Sequence, residues 1–247
     1  RQDLGTSVYQ ISSDFLWPQD MVEEAQEYII PEFGGEDLGN SFVPFGETDF
    51  ASQLTTAQDS GADIVSLNAY GNDLINLANQ AWEFGLPQDG TVLVSPQGDI
   101  TISEGYDPAL RAHENFLQGM EWYHGFDSDA TRELTQMFRD EYDRAPAWTA
   151  GLSYNHTMTY LEAVAEVGST DSDTVVAAME DRPLYMQLWG RGDSRIRACN
   201  HRPTNPSMTL NGKESGSFEG RNFYEVLNIM DDPDEYMVPC DETGCEM

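Results

Sequence analysis

Short apolar runs alternate with amphipathic stretches through the first two-thirds of the chain, and no other feature of the sequence restricts the fold as much. Val8-Tyr-Gln-Ile11 reads as a strand. Pro18 follows where the first turn of a helix tolerates proline, and Met21, Val22, Ala25, Tyr28 and Ile29 recur at three-and-four spacing as that helix's buried face, up to Gly34-Gly35. Ser41-Phe-Val-Pro-Phe45 reads as a second strand, its Pro44 fitting a sheet edge or a strand end. Thr48-Asp49 has N-cap chemistry for a helix that buries Phe50, Leu54 and Ala57 before Gly61. Asp63-Ile-Val-Ser-Leu67 is a third strand. A helix from about Asn72 to Phe84 then turns Leu74, Leu77, Ala78, Ala81 and Trp82 inward, and Thr91-Val-Leu-Val94 is a fourth strand. Strand–helix units of roughly 25–30 residues imply right-handed βαβ crossovers, hence an α/β fold on a parallel sheet.

The texture changes after about Gly119. Three helices are predicted: Thr131 to Tyr142 burying Leu134, Met137 and Phe138, then Trp148 to Val167, then Asp171 to Met179 burying Val175, Val176 and Met179. From Arg182 the chain is rich in Gly, Pro, Asn and Asp, with short strands expected at Leu184–Trp189, Ile196–Ala198 and Phe223–Leu227. The 247 residues are enough for one large domain or two modest lobes, and no internal repeat is present.

Charge narrows the partners. Lys+Arg number 12 against 44 Asp+Glu, a net charge of −32, and Lys213 is the only lysine. So anionic a surface repels phosphate, which argues against nucleic acid and anionic membranes as partners. The acids are spread along the chain rather than blocked, which favours adaptation to concentrated salt over a cationic partner. With 39% hydrophobic residues the chain is too apolar for a disordered acidic tail, and no apolar run reaches the ~18–20 residues of a membrane helix.

Familiar catalytic signatures are missing: no Gly-x-Ser-x-Gly elbow, no phosphate-binding glycine loop with lysine, no HExxH. His113, His124 and His156 have no motif partner and read as solvated or structurally satisfied. Asp231-Asp-Pro-Asp-Glu235 lacks calcium-loop spacing and reads as a solvated run. Cys199, Cys240 and Cys245, with His201, match zinc spacing poorly; a disulfide among the three cysteines, stapling the tail to the body, is the better reading, with the pairing open. No cofactor and no metal are expected.

In an open α/β sheet ligands bind at the carboxyl ends of the strands. The loops there run from Ser12 to Trp17, Asn68 to Asn72 and Ser95 to Asp99, and offer Trp17, Tyr70 and Gln97, flanked by Asp14 and Asp99. An aromatic wall with a polar group is the chemistry of binding rather than turnover.

The same loops carry a family likeness. Asp14-Phe-Leu-Trp-Pro-Gln-Asp-Met21, Gly34-Gly-Glu-Asp-Leu-Gly39, Val43-Pro-Phe-Gly-Glu-Thr-Asp-Phe50, Ser60-Gly-Ala-Asp-Ile-Val65, Tyr70-Gly-Asn-Asp-Leu74 and Gln80-Ala-Trp-Glu-Phe-Gly-Leu86 follow in order. Together with Arg195-Ile-Arg-Ala-Cys-Asn-His201 and the final Glu242-Thr-Gly-Cys245, this series resembles the branched-chain amino-acid-type solute-binding proteins of ABC transporters, the type I periplasmic binding proteins.

That resemblance implies a hinged, two-lobed, non-enzymatic receptor that closes over a small polar solute and delivers it to a membrane permease. It would be exported to the periplasm or the cell exterior, with or without a lipid anchor, and monomeric at full length. Trp17 matches the family's stacking aromatic, Tyr70 its second-lobe tyrosine, and Gln97 the place where amino-acid binders commonly carry glutamate. Glutamine offers an ammonium no countercharge, and an unpaired desolvated ammonium costs several kcal/mol. So either the solute is a short amide, urea or a carboxylate rather than a simple α-amino acid, or Asp14 or Asp99 supplies the charge. The match begins at the second lobe, with Val8. The implied division is residues 1–120 as the second-lobe α/β domain, 121–192 as helices of the first lobe, and 193–247 as a crossover segment returning toward the second lobe, with a loop-rich tail. Half the binding cleft would then be absent, and the helices from Thr131 to Val167 would expose apolar surface. The alternatives are a ligand-sensing domain with the same fold and an α/β enzyme of unrecognised type.

Overall fold

A computed structural model describes residues 4–190, 193–213, 221–232 and 237–244. In chain order the elements are β1 (Ser7–Asp14), α1 (Leu16–Glu24), a π-helical turn (Ala25–Ile29), α2 (Ile30–Glu32), β2 (Glu36–Pro44), α3 (Ala51–Ser60), β3 (Ile64–Asn68), α4 (Asn72–Glu83) and β4 (Val92–Ser95). They continue with α5 (Ile100–Ser103), α6 (Pro108–Arg111), β5 (Phe116–Met120), α7 (Asp129–Tyr142), α8 (Trp148–Val167), α9 (Ser172–Met179), β6 (Ser207–Gly212) and β7 (Tyr224–Met230). The strands form one sheet in the order β2-β1-β3-β4-β5-β6-β7. The pairs β1·β2, β1·β3, β3·β4 and β4·β5 are all parallel, the α/β architecture the alternation implied. The described residues fall into two units: residues 4–120 with 209–213 and 223–225, and 121–208 with 221–222 and the chain from 226 onward.

The first unit is built on its apolar ladder. Ile11, Leu67, Leu93 and Phe116 on four strands pack with Leu54 of α3 and Leu74, Leu77 and Ala81 of α4, all buried. Each of the leucines, Ile11 and Phe116 contributes roughly 1.5–3 kcal/mol by leaving water. The other end of β1 is fixed by Asp63, whose carboxylate accepts bonds from Thr6 N–H, Ser7 N–H and the Ser7 hydroxyl. Those bonds, the hydroxyl's first, hold its pKa below the ordinary aspartate value.

One prediction fails in the first helix. Tyr28 and Ile29 are 62% and 52% exposed, while Ile30 is buried at 7%. The cause is the π-helical turn: Ile30 N–H reaches back five residues to the Ala25 carbonyl, and the extra residue carries Tyr28 and Ile29 past the apolar face. β2 also starts earlier than its apolar residues, at Glu36, because an edge strand that pairs only with β1 tolerates Glu36, Asp37 and Asn40 facing water.

The second unit holds α7, α8 and α9. The Trp122 indole N–H donates to Thr131 Oγ1 (2.9 Å), and its ring lies on Gly151 of α8, where a Cβ would approach to 2.2 Å. Glycine is therefore required there. Met137 and Val176, expected inward, are 44% and 41% exposed; α7 buries Thr131, Leu134 and Thr135 instead, because the threonines serve hydrogen bonds. Tyr142, Tyr160 and Leu161 are exposed as well.

Leu184–Trp189 is not a strand. Leu184, Leu188 and Trp189 are buried while Tyr185 is 39% exposed, and much of the stretch's backbone is held by side chains of α7 and α8. Asn155 accepts from Met186 N–H (2.7 Å) and donates to the Met186 carbonyl (3.0 Å); Thr159 Oγ1 accepts from Tyr185 N–H (2.9 Å); the hydroxyls of Ser128 and Thr131 donate to the Leu188 carbonyl. Ile196–Ala198 is likewise no strand: the region makes isolated antiparallel bridges, Pro183 with Arg195 and Ile196 with Pro203. Cys199 is bonded to Cys240, and Arg197 donates twice to the Val238 carbonyl, so the tail is stapled to the unit. Cys245 and residues 233–235 of the acidic run lie outside the described residues.

Candidate functional site

Because β1, β3 and β4 are neighbours, their carboxyl ends form one edge, and the three loops leaving it are adjacent. Tyr70 follows β3 and is 39% exposed. Its hydroxyl is held in its neutral form above the ordinary tyrosine value, first by partial burial and then by the charge of Asp99 across the β4 tip. Asp99 is 1% exposed and caps α5: its Oδ1 accepts from Thr101 N–H (2.7 Å) and Thr101 Oγ1 (2.5 Å). The other carboxylate oxygen is buried with no hydrogen-bond partner among the described residues. Gln97, two residues earlier, is half-buried and makes no hydrogen bond to a described residue. Trp17, in the first turn of α1, is half-buried, its ring 6.1 Å from that of Phe15, which meets Phe45 edge-on at 5.4 Å.

The structure thus couples Tyr70 to Asp99 and leaves Gln97 beside them in sequence, with Trp17 in an aromatic group on the adjoining strand tip. Asp14 stands apart: it is exposed at the end of β1 and its Oδ1 accepts from Gln19 Nε2 (2.7 Å), which ties it to the helix that follows, α1.

Sequence reasoning missed the polar framework beneath these loops. Asp73, buried at the start of α4, accepts from the Ser13 hydroxyl (3.1 Å) and from Gly46 N–H (2.9 Å), joining the ends of β1 and β2 to a helix. Asn68 Nδ2 donates to Gln10 Oε1 and Ser12 Oγ along β1. Tyr224, on β7, bonds the Ser103 hydroxyl and accepts from Gln118 Nε2 (2.6 Å), bracing the helix that Asp99 caps. Asp73 lies within the Tyr70–Leu74 motif and was findable; Tyr224 carries no local signal. The Ser13 hydroxyl and Gly46 N–H both donate to Asp73, a structural pairing of strand ends, and among the described residues no cluster of metal-ligating side chains occurs. The edge is equipped to hold a small molecule by aromatic contact and by acceptors.

The chain matches the periplasmic binding protein family over residues 1–217 and belongs to that family. Among solved structures it is similar to an amino acid ABC transporter substrate-binding protein from Pseudomonas fluorescens, at 23% identity and a TM-score of 0.86 over 98% of this chain and 63% of that one. It is also similar to a branched chain amino acid ABC transporter periplasmic ligand-binding protein from Burkholderia xenovorans, at 22% identity and a TM-score of 0.80 over 94% and 61% of the two chains. A third is the solute binding protein of an ABC transporter from Rhodopseudomonas palustris in complex with 3,4-dihydroxy benzoic acid, at 20% identity and a TM-score of 0.77 over 93% and 62%. At these identities the likeness establishes the fold, and this chain spans about three-fifths of each relative's length. No curated protein matches the chain. Among the described residues, no helix is long and apolar enough to cross a membrane.

Proposed function

We propose that the chain is the solute-binding part of an extracytoplasmic receptor serving an ABC importer, and that it binds its solute at the β1-β3-β4 edge without chemical change. The first unit would correspond to the family's second lobe and the second unit to helices of its first. Trp17 and Tyr70 supply aromatic contact, Gln97 a carboxamide and Asp99 the anionic group; Asp14 is a peripheral acid. The observation that carries this reading is the buried, unshared carboxylate oxygen of Asp99 beside Tyr70. An acceptor withdrawn from water without a donor is costly in the empty state and is repaid by a solute that brings one. The relatives' named solutes include amino acids and a benzoate. The three tip loops contain two aspartates and neither lysine nor arginine, which favours an amino acid, amine or short amide over a benzoate. The Cys199–Cys240 bond supports an oxidising, exported setting.

Calorimetric titration with L-leucine, acetamide, urea and benzoate tests the proposal. Saturable binding of a donor-bearing solute is expected, weakened about tenfold or more (about 1.4 kcal/mol) by Tyr70→Ala and by Asp99→Asn, the latter retaining a helix cap. No binding of any of the four, or tight binding of benzoate alone, overturns it.

A further inference from the structure

The second unit contains a cleft of its own, about 530 Å³, within the range of small-molecule sites. Its lining includes Glu121, Trp148, His156, Arg202 and Asn205, with Met237 among its apolar residues. The sequence alone gave none of these a role beyond a structurally satisfied His156.

Their hydrogen-bonding state sets them apart. Asn205 is 6% exposed; its Nδ2 donates to Glu121 Oε2 (2.9 Å), while its Oδ1 has no hydrogen bond among the described residues. The Trp148 indole N–H is buried and has no partner among the described residues. His156 Nε2 faces the Asn205 carboxamide without closing a bond of good geometry. Burial favours the neutral imidazole, outweighing the opposing pull of Asn205 and Glu121. Glu121 and Arg202 have opposite charges on one cleft, yet neither forms an ion pair among the described residues. An unused buried donor and an unused buried acceptor thus lie beside a half-buried carboxylate and an exposed guanidinium, around a space with apolar walls. Leaving the Trp148 N–H and Asn205 Oδ1 unpaired is costly, and a guest carrying both charges and a short apolar group would relieve that cost while meeting Glu121 and Arg202.

We propose that this cleft is a second binding site, for a small zwitterion of the α-amino-acid class, whose carboxylate meets Arg202 and the Trp148 N–H and whose ammonium meets Glu121 and Asn205 Oδ1. The staple shapes its wall: Met237 lies three residues before Cys240, and Arg202 three residues after Cys199.

The site is independent of the strand-tip site, and the experiment separates them. The indole ¹H–¹⁵N resonance of Trp148, assigned through Trp148→Phe, is followed as L-leucine is added, then with L-leucinamide, which lacks the carboxylate, and 4-methylpentanoate, which lacks the ammonium. A saturable shift with leucine is expected, in the millimolar range typical of an open cleft or tighter, with at least about tenfold weaker response to either analogue. Glu121→Gln, which keeps an acceptor for Asn205, and Arg202→Gln should each weaken the leucine response by a similar factor, and Tyr70→Ala should leave it unchanged. No saturable shift up to about 20 mM leucine, equal responses to the three compounds, or loss of the shift in Tyr70→Ala overturns the proposal.

Discussion

The two units reach order by different means. In the first, parallel strands exchange backbone hydrogen bonds and a continuous apolar core lies between them and α3 and α4, so each core residue is supported by several others. In the second, a stretch whose Leu184 N–H donates to the Ser194 carbonyl is otherwise held largely by individual side chains: Asn155, Thr159, Ser128 and Thr131. The difference teaches that the same buried apolar run can be stabilised by a ladder or by a handful of polar groups, and that the second solution concentrates the risk.

Substitutions in each unit put that contrast to a test. Phe116→Ala removes a fully buried ring from the first unit and should cost about 3–5 kcal/mol in urea unfolding, the largest effect. Asn155→Ala deletes few atoms but strands the Met186 N–H and carbonyl, and should cost about 2–3 kcal/mol, with hydrogen exchange rising at Tyr185 and Met186 before the β3 and β4 amides. A cost near zero for Asn155→Ala would mean that water replaces the side chain and that the contrast is false. The smallest effect concerns pH. His156 has its pKa depressed by burial, so the folded state binds fewer protons than the unfolded one. Its contribution is complete above the ordinary histidine value of about 6.5 and is lost as pH falls through the depressed one. Unfolding curves across this interval should show a slope that His156→Gln removes, whereas an unchanged slope would place it on the carboxylates.

How legible this was in the sequence follows from the same contrast. The helix Trp148–Val167 was predicted to its end residues, because its boundaries lie at Pro146 and Gly168 and its length leaves no competing reading. Strands β1, β3 and β4 were evident from apolar runs set between glycine-bounded helices, and with them the edge that holds Tyr70 and Asp99. β5 and β6 went undelimited, since Phe116–Met120 and Ser207–Gly212 interleave Gln118, Gly119, Thr209 and Asn211 with their apolar residues. Leu184–Trp189 was misread as a strand because composition reports burial and not the source of the hydrogen bonds. Tyr28 was misplaced because a regular 3.6-residue period cannot register a single turn of five. The pairing of Asp73 with Ser13 spans 60 residues, a distance over which local pattern is silent.

One consequence of the Leu184–Trp189 arrangement extends beyond stability. The shape of those six residues is specified upstream, at Tyr185 and Met186 by Asn155 and Thr159 of α8 and at Leu188 by Ser128 and Thr131 at the start of α7. Cut out as a peptide, or grafted into another scaffold, the stretch would arrive without its instructions. It is a passenger of α7 and α8 rather than a portable element, and recombination between homologues in this part of the chain must move both helices and the stretch together.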